Sequence, residues 1–313
     1  MYLVTGGAGF IGNAFIEYLN SNDINNIVVI DTLVDEYKWK RVSNQNIVDF
    51  IDYSLGEQEV EKKLASYSFK AVFHIGADSN VLNDDSLGMM KSNFEFTKVY
   101  FAEAIRCHCP FIFASSSAIY GNTGVFNPES LKSDPHNVYA FSKLMSDKYL
   151  CGLSDLVPQM NSFRFFNVFG DGESVKNKNA SLPSRFSGFL IDDGGIDLFD
   201  VDIQRDYVWV DDLCKVLYDA LVEGLESGVY NLGSGEPISH SEVAEMAAKC
   251  YVAQNPELTE SKLINKISMP DNLAQKFQYY TKAEKLSLFV ADRCKGTKIK
   301  MERYISSIFE AAN

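Results

Sequence analysis

Short apolar runs recur along the first third of the chain, and between them apolar positions return every three or four residues. Tyr2-Leu3-Val4, Ile27-Val28-Val29-Ile30, Ala71-Val72-Phe73-His74-Ile75 and Phe111-Ile112-Phe113-Ala114-Ser115 are too short for helices. They are continuously apolar, as strands of a parallel sheet covered by helices on both faces must be. Ile47-Val48-Asp49-Phe50-Ile51 reads as a shorter strand and its exit. Helical periodicity occupies residues 13–20, 57–66 and about 88–106, whereas residues 35–46 are polar. Such alternation predicts a doubly wound, Rossmann-type α/β sheet with ligands outside the carboxyl ends of its strands.

Further on, residues 139–150 read as a helix and Ser162-Phe163-Arg164-Phe165-Phe166 as a sixth strand. Residues 208–222 return to strand then helix, and Gly228-Val229-Tyr230-Asn231-Leu232 reads as a strand closing the sheet. Residues 170–180 are polar and loop-like, the texture of an insertion that carries specificity. From Ser239 onward the pattern is mainly helical, with residues 266–269 as an edge strand. The division this predicts is a dinucleotide-binding domain of residues 1–169 and 204–233. A smaller, mainly helical and discontinuous substrate domain takes residues 170–203 and 234–313.

The first candidate chemistry lies in the first turn, Thr5-Gly6-Gly7-Ala8-Gly9-Phe10-Ile11-Gly12. Its glycines let the backbone turn sharply and come close to a pyrophosphate, and the helix opening near Gly9 offers free amides and a positive dipole end. Asp31 ends the second strand at roughly the 20-residue distance where an acid meets the adenosine ribose.

Composition narrows the partners. The chain has 313 residues, 46% hydrophobic and 13% aromatic, enough for a large packed core. A formal charge of −13 without a matching basic patch argues against nucleic acid and anionic membrane surfaces. No apolar run reaches about 18 residues, and Tyr2 enters a strand with no basic, cleavable leader before it. The six cysteines have no zinc-type pairing; Cys107-His108-Cys109 reads as a helix end, so no metal is expected. Free thiols and the missing leader place the protein in the cytoplasm.

In Tyr139-Ala140-Phe141-Ser142-Lys143 a phenol and an ammonium stand four residues apart, on one helix face. A cation beside a phenol stabilises phenolate, which could take a proton from a substrate alcohol while hydride leaves to a nicotinamide. Ser116, at the exit of the fifth strand, could hydrogen-bond the same oxygen. Arg205 is a candidate bidentate clamp for a pyrophosphate, with a salt bridge to Asp206 as the plain alternative. His74 sits in a buried-looking strand as a core imidazole.

Thr5 to Gly12, Asp31, Ser116, Tyr139 and Lys143 resemble the extended short-chain dehydrogenase/reductase family over nearly the whole chain. Stretches shared with its nucleotide-sugar epimerases are residues 111–121, Asn137-Val138-Tyr139, residues 163–170, Arg205-Asp206-Tyr207-Val208 and residues 231–235. Met269-Pro270-Asp271-Asn272-Leu273 with Phe277-Gln278-Tyr279-Tyr280-Thr281 resembles the heptose 6-epimerase branch. That resemblance implies oxidation at sugar C6 by a bound dinucleotide, reorientation of the keto sugar and hydride return to its other face. It implies a second proton-handling lysine at Lys176, with Lys178 two residues on as the alternative. Around Glu173, Asp171-Gly172 and Ser174-Val175 replace the branch's Pro-Arg and Gly-His.

For the cofactor the resemblance implies contacts from Gly6, Gly9, Phe10, Ile11 and Gly12, then from Asp31, Thr32, Lys38 and Asp49 near the next strands. Gly76, Ala77, Tyr139 and Lys143 complete the set, with Asn93 supporting the backbone there. Lys38 stands where the branch presents a lysine to a 2′-phosphate, which implies NADP; Asp31 keeps NAD open. Substrate contacts implied are Ser116, Asn167, Ser181, Arg205 and Tyr279, and the assembly implied is a homo-oligomer. The alternatives are a 4-epimerase of the UDP-glucose/galactose type and a non-catalytic dinucleotide sensor. A 4,6-dehydratase would need a Thr-Asp-Glu set that Ser115-Ser116-Ser117 does not supply.

Overall fold

In the computed structural model, which describes residues 1–33, 36–80, 85–130, 132–173, 176, 179–270, 274 and 278–312, the apolar runs form one seven-stranded sheet. Its strands are β1 (Tyr2–Thr5), β2 (Ile27–Asp31), β3 (Asp49–Asp52), β4 (Ala71–His74), β5 (Phe111–Ser116), β6 (Met160–Phe165) and β11 (Gly228–Leu232). They lie in the order β11-β6-β5-β4-β1-β2-β3, every pair parallel, with Val4 opposite Val29 on one side and Phe73 on the other. The reversal of strand order at β1 is the switch point where open α/β sheets bind ligands.

Both faces of this sheet are covered, which is why its strands show no polar alternation. Val4, Val29 and Phe73 pack under α1 (Phe10–Ser21) and α8 (Val210–Val222) through Phe15, Ile16, Leu213 and Leu217. Leu3, Val28 and Val72 face α3 (Glu57–Leu64), α5 (Phe96–Cys107) and α6 (Val138–Gly152) through Leu64, Phe101 and Leu150. Before α5, the short α4 (Ser86–Met90) runs through a π turn, Lys91–Glu95, so one long helical segment covers the stretch expected at 88–106.

Two elements differ from the sequence reading. Part of the polar segment 35–46 is helix α2 (Glu36–Ser43), in which only Val42 is buried, so no apolar stripe betrays it. The edge strand lies at β13 (Ile264–Ile267) and pairs in parallel with β8 (Ile196–Phe199), a strand inside the insertion whose Ile196 and Leu198 are buried.

The chain leaves the sheet through β7 (Asn167–Phe169), which pairs with β10 (Tyr207–Trp209), while β9 (Gln204–Arg205) pairs with β12 (Ile238–Ser239). A separate core forms here from α7 (Leu182–Asp192), α9 (His240–Gln254) and the terminal helix Thr297–Ala312, with Phe186, Leu190, Val243, Met301 and Ile305 meeting Phe169 and Tyr207.

β6 carries polar side chains that a central strand would normally avoid. Arg164 is 8% exposed and its Nε lies 2.9 Å from the Asp147 carboxylate of α6, itself 4% exposed. Ser162 donates to the other oxygen at 2.6 Å. Removing one partner of a buried pair strands the other charge, so Asp147→Ala should cost about 3–5 kcal/mol in denaturant unfolding. A variant as stable as the parent would mean that the pair does not secure α6 to the sheet.

Candidate active site

The turn after β1 is shaped by close backbone approach. Gly6 has φ +73°, and a Cβ there would sit 2.5 Å from the Cα of Gly76, just beyond β4. A Cβ on Gly12 would sit 2.1 Å from the Gly6 carbonyl oxygen. Only glycines allow this packing of β1, α1 and the β4 exit. Gly9 is the N-cap of α1, has no side chain to cap the first-turn amides of Phe10, Ile11 and Gly12, and is followed by no acid in that turn. The open helix end is a ready anion site.

Asp31 stands at the carboxyl end of β2. One carboxylate oxygen accepts the Ala8 amide at 2.9 Å, the other the Thr32 amide at 2.7 Å and the Lys38 ammonium at 2.8 Å. The acid therefore braces the glycine turn as well as facing the crevice.

At the exit of β5, Ser116 caps a 3-10 turn by accepting the Ala118 amide at 3.2 Å. α6 begins under an Asn137 cap whose side chain accepts the Ala140 amide at 2.8 Å, which fixes the first turn carrying Tyr139. Tyr139 and Ser116 share a hydrogen bond. One turn on, Lys143 is 2% exposed, donates to the Ala114 carbonyl at 2.7 Å and lies over the Phe113 ring. Burial pushes this ammonium down to about 7, while Asp147 pulls it up.

The expected lowering of the phenol by Lys143 is not what governs Tyr139 here. Burial raises Tyr139 above its ordinary value, and the Ser116 hydrogen bond is the opposing influence. The lysine is committed to a main-chain carbonyl instead.

Asn93 is fully buried beneath the site and does not line the crevice. It accepts the Asp78 amide at 2.8 Å and donates to the Asp78 carbonyl at 2.9 Å, holding the segment after Gly76 and Ala77. His74 is hydrogen-bonded to Thr5 and Thr97 and held well below its usual pKa by burial, as a satisfied core imidazole.

The loop after β7 is closed by Glu173, which is fully buried. It accepts the Gly170 amide at 3.3 Å, the Ser181 amide at 2.7 Å and the Ser181 hydroxyl at 2.6 Å, and it bonds Tyr304 of the terminal helix. Ser181 lines the crevice with its hydroxyl already given to Glu173. Lys176 lies in this loop, its Nζ 5.3 Å from the Phe10 ring centroid. Burial lowers its pKa and Glu173 raises it. Lys178 lies outside the described residues, as do Asp271, Asn272, Leu273 and Phe277.

At the far end, Arg205 donates to the Gln204 carbonyl at 2.9 Å and to the Gln278 carbonyl, and burial pushes it down to about 10. Its neighbour Asp206 turns away, accepting the amides of Ser234, Gly235 and Ala283 at 2.7 to 2.9 Å. Asn167 lines the crevice and donates to the Asp206 carbonyl at 2.9 Å. Arg185 and His240 line the same end; burial, then the charges of Arg205 and Arg185, push the imidazole down to about 3. No sequence signal marked Arg185 or His240, because α7 and α9 reach the crevice only through their shared core.

Two expected contacts stand elsewhere. Asp49 begins β3, at the strand end away from the crevice, and accepts the Tyr67 hydroxyl at 2.7 Å; Tyr53, just past β3, lines the crevice instead. Tyr279 is exposed, its hydroxyl donating to the Ala274 carbonyl at 3.0 Å, while Gln278 and Thr281 beside it line the crevice. The remaining residues, from Gly6, Gly9, Phe10, Ile11 and Gly12 to Thr32, Lys38, Ser116, Tyr139, Lys143 and Lys176, share one cavity of about 1110 Å³. That exceeds the upper range of roughly 300–1,000 Å³ for a single small-molecule pocket.

Anion-binding amides at one end of such a crevice and a hydrogen-bonded phenol midway are what hydride exchange with a bound dinucleotide requires, and they define a Rossmann-type nicotinamide-dinucleotide enzyme. The chain belongs to the NAD dependent epimerase/dehydratase family, whose sequence profile matches residues 2–233. It is 32% identical over 298 residues to the ADP-L-glycero-D-manno-heptose-6-epimerase of Fusobacterium nucleatum, covering 91% of this chain and 90% of that one. The fold matches that of the Helicobacter pylori ADP-L-glycero-D-manno-heptose-6-epimerase with a TM-score of 0.81 at 24% identity, over 99% of this chain and 95% of that one. It matches Thermus thermophilus UDP-glucose 4-epimerase, in complex with NAD, with a TM-score of 0.79 at 23% identity, over 100% and 99%.

Proposed function

We propose that the protein is a nucleotide-sugar epimerase that inverts C6 of an ADP-glycero-manno-heptose. The observation that carries this reading is a phenol bonded to Ser116 and a second, half-buried ammonium, Lys176, lining one crevice. In it, residues 1–169 and 204–233 hold the dinucleotide, and residues 170–203 and 234–313 hold the sugar nucleotide.

Hydride acceptance and return is the chemistry the dinucleotide supplies when bound, and the open α1 terminus with the Gly6–Gly76 approach suits its pyrophosphate. Tyr139 Oη in its phenolate form takes the proton of the C6 hydroxyl as the carbon gives up hydride, and the Ser116 hydrogen bond opposes the burial that disfavours that form. Lys143 orders this end of α6 by its bond to the Ala114 carbonyl. When the keto sugar is reduced from its other face, Lys176 Nζ gives the proton to the new hydroxyl. Arg205, with Asn167 and Ser181 nearby, grips the sugar diphosphate. Lys38 favours NADP over NAD. A cytoplasmic homo-oligomer belongs to the same reading.

Incubation of purified protein with ADP-D-glycero-D-manno-heptose and, separately, with UDP-glucose tests it by chromatographic resolution of epimers. Conversion of the heptose is expected. Turnover of UDP-glucose alone refutes the heptose assignment, and no epimer with either sugar favours a sensor.

A further inference from the structure

One hydroxyl at the sugar end of the crevice has no part in the chemistry above. Tyr207 opens β10, is 1% exposed, and its Oη is buried without a hydrogen-bond partner. Side chains two positions apart along an extended chain point the same way, so Tyr207 stands beside Arg205, and both line the crevice. Its parallel partner on β7 is Asn167, a third crevice residue. The ring packs edge-on against Phe169, centroids 6.0 Å apart at 87°, and belongs to the core shared by α7, α9 and the terminal helix. The hydroxyl cannot turn elsewhere without unpacking that core.

Two charges reach this phenol, and neither takes its proton. Glu173 already accepts the Gly170 amide and both the amide and hydroxyl of Ser181, and a guanidinium such as Arg205 has no acceptor atom. Burial raises the phenol above its ordinary value, so the O–H stays a neutral donor. A buried donor left unpaired costs free energy that a ligand acceptor recovers. The surroundings identify that acceptor: Arg185 and Arg205 line this end, with His240 beside them held neutral by burial and by their charges. Two guanidiniums and a neutral imidazole call for an anion. We propose that Tyr207 is a substrate-binding residue whose hydroxyl donates to an oxygen of the sugar nucleotide's diphosphate, beside the Arg205 guanidinium. This rests on the sugar-nucleotide reading above and deepens it by naming a neutral contact for the diphosphate.

The test compares the full-length parent with Tyr207→Phe in two measurements. The first is calorimetric titration with ADP and with UDP, on protein saturated with dinucleotide so that its site is closed to both probes. The variant should lose about 10- to 100-fold in affinity for whichever nucleoside diphosphate the parent prefers, the loss of one bond to a charged group. Its affinity for the dinucleotide itself should stay within about twofold. The second is thermal unfolding without nucleotide, where the variant should melt at or above the parent temperature, because phenylalanine keeps the ring and removes only an unpaired hydroxyl. A purely structural tyrosine would give the opposite pair of results. A variant that binds the diphosphate as tightly as the parent, or that melts earlier when empty, overturns this inference alone. A parent preferring UDP, with the same loss in the variant, sustains it and changes only the nucleotide. A parent that binds neither probe removes the sugar-nucleotide reading and this inference together.

Discussion

The Tyr139→Phe variant should lose epimerisation by about 10²- to 10⁴-fold, the usual worth of a positioned acid–base group, while binding the dinucleotide within about twofold of the parent. Phenylalanine fills the same space, and the start of α6 is held independently by the Asn137 cap and by Lys143 on the Ala114 carbonyl. What disappears is the oxygen bonded to Ser116. Steady-state rates with the heptose substrate, set beside a dinucleotide titration, separate the two effects. A variant that keeps the parent rate would show that another group takes the proton, since no packing change can compensate for a missing base.

The second large effect is expected at Lys176. Its ammonium rests over the Phe10 ring at the head of α1, and methionine preserves that apolar contact while removing the proton source. Lys176→Met should slow formation of the inverted sugar by about 10²- to 10⁴-fold. Oxidation should survive, because Tyr139 and Ser116 are untouched. The reduced-nicotinamide absorbance should therefore rise on mixing with substrate and persist longer than in the parent. Epimer formation at the parent rate would transfer the role to Lys178 or to water.

The central sheet could be read from the chain because strands buried on both faces leave continuous apolar runs, and the glycine turn because its spacing is local. Ser116, Tyr139 and Lys143 were legible for the same reason: one strand exit and one helix turn carry them. α2 was missed because a helix with one buried residue, Val42, has no periodic stripe. Asp49, a cofactor contact only by resemblance, begins β3 at the end away from the crevice, and Tyr53 lines the crevice past the other end. Lys143 does not govern the phenol because it finds its partner, the Ala114 carbonyl, on a strand 29 positions away in sequence. Arg185 and His240 come from helices brought together only by tertiary packing, beyond any window of sequence.

Glu173 ties the loop bearing Lys176 to Tyr304 of the helix Thr297–Ala312. That helix is thus a mechanical anchor for a segment that borders the crevice. A change that pries it loose would slacken the segment while leaving the glycine turn and the sheet in place, and so would reshape the crevice without touching either ligand.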